Sequence, residues 1–380
     1  MIDLFAGLGP YVLNSSLNVT YNPYSLTNRS SVIYVDNPSG VGYSYVGRDI
    51  EYCQTDLQVS MDAYEMLSQF FQAWPELKPN PLYIAGMSYG GVYAPYLAWQ
   101  IHEHNLEYRN QGNLTGVLNL AGTIVGNGLV SFITDGYARN SIENLAAFGN
   151  APLKLFEQYK SLGCEMYDSN FVRSKPFYNK PECLDYLIYF NSSFDYVIYQ
   201  DQMANKNVPA SLKAKKDASI PIYGLDQEHI KRLKLGGNPI LEYFNSTVVR
   251  TALHVNEKLP DFDFSSAPIS INYNAPVEAS QLIHHVLKVQ GYRMIMLFGN
   301  TDAACSLMGT RRWIKRNGWV ATEAWTPWTR QGQLSGFTVS YDNYTLVTMH
   351  GLGHGAIYNL PQVSTEIMLD FAHSMPFKYE

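Results

Sequence analysis

The chain has 380 residues, a formal net charge of −6, 46% hydrophobic residues and 16% charged residues. This composition is typical of a globular protein and excludes a largely disordered one. The mildly acidic charge argues against nucleic-acid binding through bulk electrostatics. No uninterrupted apolar run reaches the roughly 18 residues of a membrane span, so the sequence predicts no transmembrane helix.

Apolar runs and helical spacing alternate along the first third of the chain. The run at 32–35 predicts a buried strand. Residues 56–73 carry apolar side chains at helical spacing, and the prolines that follow end this helix. Further strands are predicted at 82–85 and 118–125, with a helix at 89–101 between them. This alternation favours the α/β class, with a mostly parallel sheet and helices on both faces.

The middle of the chain, residues 131–245, lacks this alternation and is rich in Lys, Tyr and Asn. We expect an insertion there, mainly helical. The alternation resumes with predicted strands at 294–298, 337–341 and 346–349, and it ends with a helix at about 361–373. The sequence therefore predicts three parts, which are a first core segment at 1–130, a helical insertion or cap at 131–245 and a second core segment at 246–380.

A Gly-x-Ser-x-Gly sequence lies between the strand at 82–85 and the helix that follows it. It reads Gly86-Met87-Ser88-Tyr89-Gly90 and has the context of a nucleophile elbow. Such a turn strains the serine backbone and needs glycines where the chains come close. The N–H of Tyr89 would lie at the helix N-terminus, where it can stabilise an oxyanion. The alternative is an ordinary glycine-rich turn with a buried serine.

A nucleophilic serine needs a base, and the base needs an acid that orients it. Asp302 follows one of the late predicted strands, and His354 lies in a glycine-rich loop after another. Their order after Ser88 is that of α/β-hydrolases, and open parallel sheets place their sites at such strand ends. Asp302 could instead cap a helix at 303–313, and His354 could be a loop histidine bonded to backbone.

The other histidines have less distinctive surroundings. His350 competes for the role of base, and a metal could bind it together with the histidine four residues later if a helix placed both rings on one face. The glycines between them argue against that helix, so we expect no metal at this pair. Catalysis by a serine, a histidine and an aspartate needs no metal or organic cofactor, so we expect neither. His284 and His285 lie in a predicted helix and are expected to be structural. His102 and His104 are expected to be solvated near a helix end.

Four cysteines are present, and they allow three disulfide pairings. Cys164 and Cys183 flank a stretch with Pro and Lys, and they could close a local loop. The alternative is four free thiols in a reducing compartment. Cys53 has no predicted partner.

Asn-x-Ser/Thr triplets are more frequent than composition predicts, which indicates a glycoprotein of the secretory pathway. Yet the sequence starts Met1-Ile2-Asp3, without the basic and apolar regions of a signal peptide. We reconcile the two observations by expecting a natural N-terminus further upstream. The triplets begin at Asn14, Asn18, Asn28, Asn113, Asn191, Asn245 and Asn343.

Six segments spread over nearly the whole chain follow the order of one known family. They are Leu-Phe-Ala-Gly-Leu-Gly-Pro (4–10), Asp-Asn-Pro-Ser-Gly-Val-Gly-Tyr-Ser-Tyr (36–45), Ile-Ala-Gly-Met-Ser-Tyr-Gly-Gly-Val-Tyr-Ala-Pro (84–95), Gly-Asn-Gly (126–128), Gly-Asn-Thr-Asp-Ala-Ala-Cys (299–305) and Gly-Leu-Gly-His (351–354). Together they resemble the serine carboxypeptidases of the yeast carboxypeptidase Y and plant type. The resemblance implies an α/β-hydrolase fold with a helical insertion. It also implies glycosylation and secretion, or delivery to a vacuole or lysosome.

The same resemblance implies a role for each matching residue. Ser88 is the expected nucleophile, His354 the base and Asp302 the acid that orients it. The amide of Tyr89 is one oxyanion donor, and Cys305 matches a free thiol beside the substrate pocket. The family also suggests a homodimer, although the sequence leaves the oligomeric state open.

The chain departs from the family pattern at several substrate-binding positions. Gly7 and Met87 stand where the family has two glutamates that bind the C-terminal carboxylate of the substrate. Gly355 begins a loop that reads Gly-Ala-Ile where Met-Val-Pro is usual. A Trp-Leu-Asn-Gly-Gly-Pro-Gly segment, which supplies a second oxyanion donor, is expected upstream of Leu4. Loss of one such donor costs roughly 10²–10³ in turnover.

The predicted function is therefore a serine-type carboxypeptidase that cleaves C-terminal residues of peptides through an acyl-enzyme. One alternative is an acyltransferase or esterase relative that acts on an acyl ester, and another is a non-catalytic relative. The two glutamates of the family lie close together and share a proton, so they bind the substrate carboxylate best at acidic pH. Since Gly7 and Met87 replace that pair, an active enzyme should bind free C-terminal carboxylates weakly and lack a sharp acidic optimum.

Overall fold

The computed structural model describes residues 2–5, 7–13, 17–45, 54–135, 143–144, 146–147, 153–162, 239–259, 261–262, 273–275, 279–302 and 304–375. Several predictions fall outside these residues, including the disulfide between Cys164 and Cys183, the state of Cys53, and the triplets at Asn14 and Asn191. Most of the expected insertion at 131–245 also lies outside them, so the division into three parts stays a prediction.

Helices and strands alternate through the described residues. The helices are α1 Ile2–Phe5, α2 Asp56–Ala73, α3 Gly90–Asn110, α4 Phe132–Asp135, α5 Leu153–Ser161, α6 Pro239–Asn245, α7 Thr247–Ala252, α8 Gln281–Val289, α9 Leu307–Arg316, α10 Ala356–Asn359 and α11 Pro361–Ala372. The strands are β1 Tyr11–Leu13, β2 Val19–Tyr21, β3 Gln54–Thr55, β4 Leu82–Met87, β5 Leu120–Gly126, β6 Tyr273–Asn274, β7 Arg293–Gly299, β8 Glu323–Arg330, β9 Gln333–Tyr341 and β10 Tyr344–Met349.

The central sheet of the described residues has the strand order β4-β5-β7-β10-β9-β8. Neighbours from β4 to β10 pair in parallel, whereas β10, β9 and β8 pair antiparallel. The two small sheets pair β1 with β2 and β3 with β6. The parallel strands are joined through helices, as parallel pairing requires. The expected mostly parallel α/β sheet is confirmed.

Buried side chains of β7 alternate between the two faces of this sheet. Met296 and Phe298 pack with Trp313 of α9 in one apolar cluster. Ile295 and Leu297 pack in a second cluster, which also holds buried residues of α11. Since successive strand residues point to opposite faces, both faces are covered by helices. This explains why the run at 294–298 is apolar throughout.

Helix α2 shows how closely local sequence can set an element. Its first turn is capped by Thr55, whose side chain accepts the N–H of Gln58 at 3.1 Å. Pro75 follows its last turn, and Leu67 and Phe71 lie on its buried face. The predicted helix at 56–73 is confirmed with the same bounds.

Two sequence expectations are wrong. Residues 32–35 form no strand, and Ile33 and Val35 are 40% and 45% exposed. An apolar run specifies a strand only where another strand pairs with its backbone. His102 is not solvated, because α3 continues to Asn110 and buries the ring, whose Nδ1 lies 2.9 Å from the hydroxyl of Tyr292. Burial also lowers the pKa of His102.

None of the described helices combines the length and apolar character that crossing a bilayer requires.

Candidate active site

The turn between β4 and α3 carries Ser88. This residue has a φ of +58°, a left-handed conformation that strains a residue with a side chain. A Cβ on Gly86 would lie 2.8 Å from the Cα of Gly90, so the strand and helix come this close only because residue 86 is glycine. The N–H of Ser88 donates to the carbonyl of Gly126 in β5 at 3.0 Å. The predicted elbow is therefore formed at the carboxyl end of β4.

Three side chains form a hydrogen-bonded chain beside this turn. Oγ of Ser88 lies 2.9 Å from Nε2 of His354, and Nδ1 of His354 lies 2.9 Å from Oδ2 of Asp302. Asp302 is 1% exposed, whereas the side chain of His354 is 24% exposed. The structure thus brings together the three residues that the sequence selected for the catalytic roles. In this arrangement the histidine can act as a base for the hydroxyl, and the buried carboxylate can orient the ring.

Asp302 lies in the turn that follows β7. Its Oδ1 accepts the N–H groups of Ala304 and Cys305 at 2.8 and 3.2 Å. Helix α9 begins later, at Leu307, and its cap is Ser306. The alternative in which Asp302 caps a helix at 303–313 is therefore wrong. The turn instead fixes the carboxylate so that Oδ2 faces His354.

Sequence reasoning missed Asn127, which also touches the carboxylate. This residue is fully buried with a φ of +43°, and its Nδ2 donates to Oδ2 of Asp302 at 2.6 Å. Nδ2 of Asn144 donates to the backbone carbonyl of Asp302, also at 2.6 Å. The available signal was a polar residue between two glycines at the end of a buried parallel strand.

The loop after β5 packs directly behind the elbow. The N–H of Leu129 donates to the carbonyl of Ser88 at 2.9 Å. Asp135 holds the loop, since its Oδ2 accepts the N–H groups of Val130 and Ser131 at 2.7 and 2.9 Å. Burial raises the pKa of Asp135 to about 7, and these backbone hydrogen bonds offset that effect only in part.

Tyr89 occupies the position before the first residue of α3. Its hydroxyl donates to Oδ1 of Asp56 at 2.9 Å, and the hydroxyl of Tyr273 donates to the same oxygen at 2.6 Å. Burial, with smaller contributions from Tyr93 and Asp56, raises the pKa of Tyr273 above the ordinary range. The Tyr89 side chain is thus anchored, which keeps its backbone at the helix N-terminus.

Cys305 is a free thiol that is 1% exposed. Burial raises the pKa of Cys305 well above its usual value, and the nearby carboxylates Asp302 and Asp135 add to this effect. A side-chain hydrogen bond with Ser88 acts in the opposite direction. The thiol therefore stays protonated next to the serine and is a poor nucleophile there.

The residues Gly7, Met87 and Gly355 all lie next to α10. Met87 and Leu8 pack in the same apolar cluster as Ile357 of that helix. Gly355 caps α10, and Gly7 has a φ of +107°, where a side chain would be strained. Met87 therefore packs among apolar side chains, whereas a Cβ on Gly355 would lie 3.5 Å from Nδ2 of Asn359.

His350 does not contact Ser88. It is exposed, and its ring centroid lies 5.6 Å from that of Phe337. Over the ranges that the structure describes, no group of three or more His, Cys, Asp or Glu side chains is placed to hold a metal ion.

Five glycosylation triplets lie within the described residues. Asn18, Asn28 and Asn113 are exposed. However, the Nδ2 atoms of Asn28, Asn245 and Asn343 donate to backbone carbonyl oxygens at 2.7, 3.0 and 2.7 Å. A sugar would be attached to that nitrogen, so these bonds count against Asn28, Asn245 and Asn343 as acceptors.

The sequence profile of the serine carboxypeptidase family matches residues 1–374. The chain belongs to the serine carboxypeptidase family. It is 26% identical to putative serine carboxypeptidase-like 30 of Arabidopsis thaliana, over 97% of this chain and 76% of that protein. It is also 26% identical to the lysosomal protective protein of Mus musculus, over 97% of this chain and 80% of that protein.

A solved carboxypeptidase structure has the same fold. Kex1(Δ)p, a prohormone-processing carboxypeptidase from Saccharomyces cerevisiae, matches with a TM-score of 0.72 over 98% of this chain and 80% of that chain. The identity is 17%, so the likeness concerns the fold alone. The fold is that of the α/β-hydrolases, as the sequence predicted.

Proposed function

We propose that this chain is a serine-type carboxypeptidase that removes C-terminal residues from peptides through an acyl-enzyme. The observation that carries the proposal is the hydrogen-bonded chain from Ser88 through His354 to the buried Asp302. Membership of the serine carboxypeptidase family supplies the reaction class. The strained backbone of Ser88 supports it further, because such strain is characteristic of nucleophile elbows.

The geometry leads to a two-stage reaction. Nε2 of His354 takes the hydroxyl proton as Oγ of Ser88 attacks the carbonyl carbon of the last peptide bond. Asp302 stabilises the imidazolium that forms, and the N–H of Tyr89 stabilises the negative oxygen of the tetrahedral intermediate. His354 then gives its proton to the leaving amine. Water repeats these steps on the acyl-enzyme, releases the shortened peptide acid and regenerates Ser88.

An esterase or acyltransferase is the second candidate. Met87 lies among apolar neighbours, and Gly7 has no side chain, so neither can bind a substrate carboxylate as the family glutamates do. An acyl ester with a neutral leaving group needs no such anchor. The same acyl-enzyme at Ser88 would serve this reaction, with water or an alcohol as the acceptor.

We also infer that the chain acts in the secretory pathway, outside the cell or in a vacuole or lysosome. The exposed triplets at Asn18 and Asn113 support glycosylation. Relatives of similar identity include the lysosomal protective protein of the mouse and the venom serine carboxypeptidase of Apis mellifera, which is 23% identical over 99% of this chain.

The direct test is labelling with a fluorophosphonate, which reacts with activated serines. The full chain should label, and Ser88→Ala should reduce the rate by at least roughly a thousandfold, because the nucleophile is lost. Ser306→Ala is the matched control, since this buried serine caps α9 by accepting the N–H of Met308. Equal labelling of wild type and Ser88→Ala, or no labelling of either, would contradict both catalytic candidates.

Substrates with one acyl group and different leaving groups then separate these candidates. We expect cleavage of a peptide with a free C-terminal carboxylate for a carboxypeptidase. Equal or faster reaction of the C-terminal amide and of a neutral ester would favour the second candidate. Measurement from pH 4 to 8 gives the pH optimum, and a sharp acidic maximum would count against any effect of Gly7 and Met87.

A further inference from the structure

The first turn of α3 contains a backbone carbonyl without its usual helical partner. In an α-helix the carbonyl of Gly91 accepts the N–H of residue 95. Residue 95 is proline and has no N–H, although it lies inside the helix. Gly91 is buried, so its carbonyl needs another donor. This carbonyl lies three residues after Ser88.

Two side chains of the α8 region supply that donor. The hydroxyl of Ser280 donates to the carbonyl of Gly91 at 2.6 Å, and Nε2 of His284 lies 3.2 Å from the same oxygen. Both residues are fully buried. They are four positions apart, which is one helical turn, so they approach the oxygen from the same side. Ser280 also donates its N–H to Val130 in the loop behind the elbow, at 2.9 Å.

The surroundings of His284 fix which nitrogen carries the proton. The ring packs against Trp313 and Tyr344, with centroids 5.4 and 6.1 Å away. Its Nδ1 is buried and has no hydrogen-bond partner among the described residues, so a proton there would be unsatisfied. Burial lowers the pKa of His284 to about 4, so the ring is neutral. The neutral ring with its proton on Nε2 is the form that donates to Gly91.

We propose that Ser280 and His284 are positioning residues that replace the hydrogen bond Pro95 cannot make and so hold the first turn of α3 behind Ser88. The inference rests on the proposed role of Ser88 as the nucleophile. The coupling is direct, because the N–H of Gly91 donates to the carbonyl of Ser88 at 2.9 Å. Movement of Gly91 therefore moves the serine relative to His354. Neither positioning residue touches the reacting atoms.

A double-mutant cycle between His284 and Pro95 tests this directly. His284→Leu removes one donor, and we expect it to slow fluorophosphonate labelling about tenfold, since small misplacements of reacting groups are costly. Pro95→Ala restores a backbone N–H at residue 95 and should change the labelling rate by less than about threefold. In the double variant the N–H of residue 95 donates to the carbonyl of Gly91 in place of His284. The rate should then return to within about threefold of wild type.

Two further variants act as controls. His285→Leu makes the same change on the next residue, whose ring is exposed and bonds Trp319, and it should label at the wild-type rate. His284→Gln keeps a donor at a similar reach and should retain most of the activity. Equal rates for His284→Leu and His285→Leu would overturn the proposal. An unchanged tenfold loss in the Pro95→Ala background would do the same.

Urea unfolding of the same proteins keeps the inference separate from the proposed function. If wild type shows no labelling that depends on Ser88, the proposed function fails, and the rates say nothing about His284. The urea midpoints still test whether His284 is the donor to the carbonyl of Gly91. If it is, His284→Leu should lower the midpoint less in the Pro95→Ala background than in wild type. Additive midpoint shifts would overturn the role of Ser280 and His284 as substitutes for the missing N–H.

Discussion

At the scale of single residues, the carboxylate of Asp302 is held from several directions. Oδ2 faces His354 and Asn127, and Oδ1 accepts two backbone N–H groups of the turn after β7. An orienting acid acts through geometry, because it selects the tautomer and direction of the imidazole. Asn127 is therefore expected to matter for rate although it touches no substrate.

Replacement of Asn127 by glycine tests this role. Glycine is chosen because residue 127 has a φ of +43°, which glycine adopts without strain. We expect labelling and kcat to fall roughly tenfold, with KM little changed, because small misplacements of catalytic groups can cost up to about a hundredfold in rate. The measurement is steady-state kinetics with the best substrate.

Asn144→Ala is the matched control for that variant. Asn144 donates to the backbone carbonyl of Asp302 and leaves the carboxylate untouched. We expect it to lower the stability of the fold with a much smaller effect on kcat. Equal losses of kcat in both variants would show that Asn127 has only a structural role.

At the scale of elements, the start of α3 packs against the loop after β5 without room for a side chain. A Cβ on Gly91 would lie 2.3 Å from the carbonyl oxygen of Leu129 and 2.9 Å from the Cα of Gly128. Beyond its chain neighbours and helix backbone, a Cβ on Gly90 would have no other atom within 4 Å among the described residues. Two adjacent glycines of one helix thus have opposite surroundings.

This contrast predicts opposite effects of alanine at the two positions. Helix propensity favours alanine over glycine by about 1 kcal/mol at either position. Gly91→Ala forces backbone apart and should lower the free energy of unfolding by about 1–3 kcal/mol. Gly90→Ala should leave it unchanged or raise it slightly. Urea unfolding of both variants is the measurement, and a stable Gly91→Ala protein would contradict the observed packing.

At the scale of the whole molecule, two buried groups give opposite pH dependence of stability. The pKa of His284 is lowered to about 4, so the unfolded chain binds the extra proton between about pH 4 and 6.5 and stability is lost on acidification. The pKa of Asp135 is raised to about 7, so the folded chain binds the extra proton and stability is lost as pH rises from about 4 to 7. The two effects oppose each other across mildly acidic pH.

Replacement of Asp135 by asparagine should expose the contribution of His284. The amide oxygen can still accept the N–H groups of Val130 and Ser131, so the loop is retained. Relative to wild type, the free energy of unfolding of Asp135→Asn should fall on acidification from pH 6.5 to 4.5, by up to about 1.4 kcal/mol per pH unit. Urea unfolding at several pH values measures this. Parallel curves for the two proteins would contradict the raised pKa of Asp135.

Local patterns predicted the elements whose signal lies in their own residues. Helix α2 and strand β7 are examples, since one has a capping threonine and an apolar face and the other is apolar throughout. The run at 32–35 carries a similar signal and forms no strand, because pairing depends on residues elsewhere in the chain. Asn127 was missed for a related reason. Its contact with Asp302 follows from the placement of β5 beside β7, which linear spacing does not contain.

The three residues of the hydrogen-bonded chain are also synthesised at different times. Ser88 and His354 stand 266 positions apart. A ribosome that adds 5–20 residues per second needs roughly 13–53 s to pass from one to the other. Throughout that interval the growing chain contains the serine without the histidine that we propose as its base. The order of the residues therefore prevents the proposed catalysis at Ser88 from starting before His354 has been synthesised.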